Sequence, residues 1–131
     1  MTASIEEARR FLRIARSDLR TYEILVGHPD SDLGPTCFHA HQAVEKALKA
    51  VLAGQDLGFA RTHDVEELAQ SVIDSGINTP ITPRDYRRLN PFAVSFRYDD
   101  QIIILLTSEE AGRIARQTLA WAEAIISRSP T

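Results

Sequence analysis

The stretch Cys37–Leu52, CFHAHQAVEKALKAVL, sets one Cys, two His, one Glu and two Lys among alanines, leucines and valines. Its reading decides the fold. Each residue of a helix advances about 100°, so Cys37, Ala40, Val44, Ala47, Leu48 and Val51 gather on one side. His39, Lys46 and Ala50 fall opposite. The spacing therefore predicts a helix with one apolar face, from about Pro35 to Ala53, with Gly54 as its cap. His39 and His41 point about 160° apart and cannot share a metal from a regular helix. A helical zinc pair needs a spacing of four. No other Cys or His pair in the chain has ligand spacing, and His28 and His63 are isolated. No metal site is expected.

His41, Glu45 and Lys49 do stand four apart, at the edge of the apolar face. Two readings stay open. They form a row of helical pairs, each adding a few tenths of a kcal/mol. Or Glu45 is partly buried and needs a cation from another helix, because an unpaired buried carboxylate is costly. Arg97 is the favoured partner.

Outward from this stretch, the chain reads as helices. Ser4-Ile5-Glu6-Glu7 has the form of a capping box, and Ile5, Ala8, Leu12, Ala15, Leu19, Tyr22 and Val26 follow at helical spacing. Gly27 and Pro29 end that first helix. Asp64 and Glu67 open a short third helix through Val65, Leu68, Ala69, Val72 and Ile73, stopping near Gly76. Thr82-Pro83 starts a fourth, with a hydroxyl N-cap and proline in the first turn. Asn90-Pro91 interrupts it. Thr107-Ser108-Glu109-Glu110 opens the last, which carries Ala111, Ile114, Ala115, Thr118, Leu119, Ala122, Ile125 and Ile126 inward. Only Gln101–Leu106 looks β-like, and a lone strand would have no partner; it is expected as an extended connector or a subunit contact. The fold class is all-α: an up-and-down bundle of about five helices with antiparallel neighbours.

The 131 residues fit one domain spanning 1–131. No apolar run reaches membrane-spanning length, and the first residues lack the apolar core of a signal peptide. A lone Cys37 rules out an intrachain disulfide, so the chain reads as cytoplasmic. A net charge of −3 argues against wholesale coating of nucleic acid, though local basic groups exist. Arg9, Arg13, Arg16 and Arg20 share an arc of about 60° on the first helix. They are read as a solvated flank, with a phosphate grip as the sharper alternative. Arg84, Arg87 and Arg88, with Tyr86 among them, form a second group. There is no Gly-rich phosphate loop and no Gly-x-Ser-x-Gly elbow, and no cofactor is implied.

The blocks FHAHQAVEKALKAVL, THDVEELAQ, FAVSFRYDD and TSEEAGRIARQTLAWAEAI, in that order, resemble a HEPN domain, the helical domain of higher eukaryotes and prokaryotes associated with nucleotide binding. Gln42–Lys49 is the most specific element and Arg97-Tyr98 the second. The resemblance implies a helical bundle, usually dimeric, often paired with a small nucleotidyltransferase as toxin and antitoxin. It also implies, for many members, metal-independent ribonuclease activity through an Arg, four to six residues, then His. Arg97 stands where that Arg falls, but the matching positions hold Ile102, Ile103 and Ile104. Isoleucine cannot move a proton, whereas cleavage by a 2′-hydroxyl needs an acceptor near neutral pH. The sequence thus leans against an enzyme. It points first to a non-catalytic homodimer that partners a nucleotidyltransferase and binds nucleotide or RNA at a basic cleft. Glu45, Lys49, Arg97 and Tyr98 are the candidate ligand contacts. A ribonuclease with a rearranged site around Arg97, His41 and Glu45 is the alternative. A pure protein-interaction domain is the third reading.

Overall fold

The computed structural model describes residues 2–59, 61–93 and 106–128. These form five α-helices and one 3-10 turn: α1 (Thr2–Val26), α2 (Leu33–Gly54), α3 (Val65–Asp74), α4 (Pro83–Arg87), the turn Asn90–Phe92, and α5 (Ser108–Arg128). There is no strand among the described residues. The Gln101–Leu106 connector lies outside them, apart from Leu106, which is buried.

Cross-helix contacts fix the directions. Ala8 of α1 and Ile126 of α5 both lie against Gly54 at the end of α2. Arg16 pairs with Glu123 and Arg116 with Glu23. So α1 runs antiparallel to both α2 and α5, which run parallel to each other. Pack α3 and the 3-10 turn against α2, and α4 against α3, and the bundle is complete.

This surrounds α2. Its predicted apolar face is buried, and so is Ala50 on the side that the wheel leaves to solvent. The helix is thus central rather than amphipathic, because other elements cover its second side. No helix of the described residues is long and apolar enough to cross a membrane.

Most helix boundaries follow their local signals. Asp64 Oδ1 accepts the Glu67 amide at 3.1 Å, and Thr82 Oγ1 accepts the Asp85 amide at 3.2 Å. Thr107 and Glu110 make a reciprocal capping box: Oγ1 accepts the Glu110 amide and Oε1 the Thr107 amide. Asn90-Pro91 converts the end of α4 into the 3-10 turn. Two expectations fail. α1 begins at Thr2, so Ser4 sits inside its first turn and donates to Asp56 Oδ1 at 2.9 Å instead of capping. α2 starts earlier than expected, at Leu33, and Gly54 is its last helical residue rather than its cap. The left-handed residue beyond the end is Asp56, at φ 57°. Gly54 serves packing: a Cβ there would come 2.6 Å from Ile126 Cδ1.

Three members of the basic groups form ion pairs within the fold: Arg16 with Glu123, Arg87 with Glu66, and Arg88 with Glu110 and Asp85. Arg16 and Glu23 of α1 pair with Glu123 and Arg116 of α5 rather than within their own helix, so this flank of α1 stitches two helices together. Tyr86 does not join the Arg84 group at the surface. It is buried, and its hydroxyl hydrogen-bonds Thr118 Oγ1 at 2.8 Å.

Candidate functional site

Glu45 sits midway along α2 with its side chain fully buried. Its carboxylate is surrounded by donors. Oε2 accepts from Lys49 Nζ at 2.9 Å and Lys46 Nζ at 3.0 Å. Oε1 accepts from His63 Nδ1 at 2.9 Å. Burial opposes ionisation most strongly, yet the bonds from Lys49, His63 and Lys46 together outweigh it and hold the carboxyl at about 2. The helical row read from the sequence is present: Lys49 bonds Glu45, and His41 Nδ1 lies 4.0 Å from Oε1.

Among the described residues, the partner of Glu45 from outside the helix is His63, in the loop between α2 and α3. Sequence reasoning set His63 aside as isolated and favoured Arg97. A signal was available. Glu45 lies nine residues before the end of α2, about 13 Å along its axis. The nine residues from Gln55 to His63 can span up to about 30 Å, enough to fold back alongside. Only a polar partner for a buried carboxylate then remains to be found, and His63 is the polar residue before the Asp64 cap.

His41 occupies the other side of the same arrangement. It is fully buried, and its Nε2–H donates to the His63 carbonyl oxygen at 2.7 Å. Burial pushes its imidazole below the usual range, against the opposing pull of the Glu45 charge. His39 turns the opposite way and meets Asp18 of α1 at 3.0 Å. The two histidines thus diverge as their spacing predicts.

Of the sequence candidates, the structure brings His41, Glu45 and Lys49 together. Arg97 and Tyr98 lie outside the described residues, and so does any pairing of Glu45 with Arg97. The Arg84 group lines a surface concavity of about 620 Å³ with Thr82 and Asp85; Lys49 is not part of its wall. Within it, Arg88 bonds Glu110 at 2.8 Å and Arg87 approaches Glu66 at 3.8 Å. Among the described residues, no three His, Cys, Asp or Glu side chains gather as metal ligands.

The arrangement presents one imidazole to solvent in a fixed pose. The His63 side chain is 58% exposed, while the carboxylate that orients it is 0% exposed. With Nδ1–H committed to Glu45, Nε2 is the nitrogen left to meet another molecule.

Comparison with known proteins gives no match among curated proteins or solved structures. The family model of the HEPN domain matches residues 6–128, from the first turns of α1 to the end of α5. With its helical bundle and the Gln42–Lys49 block at the centre, the chain belongs to the HEPN domain family.

Proposed function

We propose that this protein is a nucleotide- or RNA-binding HEPN domain that works without cutting. It acts as a homodimer and as the partner of a small nucleotidyltransferase in a toxin–antitoxin-like pair in the cytoplasm. The family itself supports the nucleotide- and RNA-related part. The observation that carries the non-cleaving part is the run Ile102, Ile103 and Ile104, where the family's ribonuclease motif needs His. His41 is poorly placed to supply it, since the ring is fully buried and its Nε2–H is bonded to a backbone carbonyl. The dimer draws on the resemblance and on Ile24, a large apolar side chain left 71% exposed beside a cleft between α1 and α5.

The test is a titration of the purified protein with nucleotides and a short RNA, with the RNA recovered afterwards and no metal added. Binding with intact RNA is the expected result. Cleavage that disappears in Arg97→Ala would overturn the non-cleaving reading, and no binding at all would leave a protein-interaction role. Light scattering at micromolar concentration checks the dimer, which a monomeric mass would refute. A ribonuclease with a rearranged site is the second reading, favoured by the exposed imidazole that Glu45 holds in place.

A further inference from the structure

Two fully buried titratable side chains of α2 act on a single exposed residue. Glu45 fixes the His63 ring through Nδ1, and His41 fixes the His63 backbone through its carbonyl oxygen. A loop needs neither to close, and the Glu45 carboxylate already has Lys49 and Lys46 as partners. What the two contacts achieve together is orientation. An exposed side chain ordinarily loses rotamer freedom when it binds, and here that loss precedes binding.

The surroundings select the kind of ligand. One carboxylate faces two ammonium groups, and Lys46 is itself partly open to solvent. Arg61, exposed, precedes His63 by two residues in the same loop. The neighbouring Asp64 carboxylate is turned to the Glu67 amide and the Asn90 side-chain amide. Glu66 lies toward Arg87. Lys46, bonded to the same carboxylate, and Arg61, two residues back in the loop, supply positive charge near His63. With Nδ1 bonded to Glu45 Oε1, Nε2 is the ring nitrogen left to meet an anion. A charge-assisted bond to a phosphate oxygen fits that geometry.

We propose that His63, held by Glu45 and His41 and flanked by Lys46, is the contact point for a phosphate group of a nucleotide or RNA. The inference rests on the reading that the domain binds such ligands, and it names the residue that meets them. Glu45 and His41 are positioning residues here, because they act only through His63.

The experiment follows the ring signals of the four histidines by NMR while 5′-AMP, inorganic phosphate or a short oligoribonucleotide is added, with adenosine as the uncharged comparison. The His63 signals are expected to move with every phosphate-bearing probe and to stay put with adenosine, while those of His28 and His39 stay constant. His63→Ala is expected to weaken 5′-AMP and RNA binding by about tenfold or more. Binding that persists within twofold in His63→Ala, with unmoved His63 signals in the parent, overturns the inference and leaves the proposed function standing. If neither nucleotide nor RNA binds the parent protein, both fall.

Discussion

Replacing Glu45 by Gln keeps the shape of the side chain and removes its charge. The carboxyl sits at about 2 in the fold against an ordinary 4.5. At about 1.4 kcal/mol for each tenfold change in proton affinity, that gap corresponds to about 3 kcal/mol of folding stability at pH 7. An independent argument reaches the same range. Lys49 is only 9% exposed, and stripping the counter-charge from a buried pair costs about 3–5 kcal/mol. A domain of this size is typically stable by about 5–15 kcal/mol, so the loss is large but need not unfold it. With a urea slope of roughly 1–2 kcal/mol per M, the unfolding midpoint is expected to fall by about 1.5–3 M. The pH dependence carries the sharper test. The folded-state carboxyl is depressed, so its contribution is complete above the unfolded value near 4.5 and fades as pH falls toward 2. The gap between parent and Glu45→Gln should then shrink to less than half by about pH 3. Equal midpoints at pH 7, or a gap that stays constant between pH 7 and pH 3, would refute the account of Glu45 as a buried, charge-paired carboxylate.

Other perturbations test the packing around it. In Gly112→Ala the new methyl overlaps the Tyr22 hydroxyl, which is buried and donates to the Ser108 carbonyl at 2.6 Å. The expected cost is about 1–3 kcal/mol, read as a melting temperature lower by about 5 °C or more; an unchanged melt would contradict it. Cys37 is fully buried, and burial, aided by the Glu109 charge, pushes its thiol up to about 12. A thiol reagent at about pH 8 should leave the native protein unlabelled and react promptly once guanidinium unfolds it; fast native labelling would show that α2 is less enclosed than described. Asp64→Ala removes the acceptor of both the Glu67 amide and the Asn90 side chain. About 1 kcal/mol should be lost, with faster hydrogen exchange at Glu67, and exchange at the parent rate would disprove the cap.

The helices were legible because their signals are local. Thr107 and Glu110, Thr82 and Asp85, Asp64 and Glu67 meet within one turn of each other, and their capping bonds depend on little beyond that turn. Ser4 shows the limit of such reasoning. Its pattern was equally good, but a carboxylate 52 residues away, Asp56, takes its hydroxyl. Gly54 shows the same limit, since Ile126 of a distant helix explains it better than the chain's own turn does.

At the candidate site the division is similar. The spacing of His41, Glu45 and Lys49 placed them in one row and separated His39 from His41, because helical geometry turns sequence distance directly into direction. The order of the motif blocks was enough to indicate the family. What spacing could not supply was the burial of Glu45 and the return of the loop that brings His63 to it. Both depend on elements far apart in the chain packing around α2, and a helical wheel contains no neighbours. The sequence determined the helices, their register and the ionisable row; the tertiary structure decided that the row is buried and that its partner is an imidazole open to solvent.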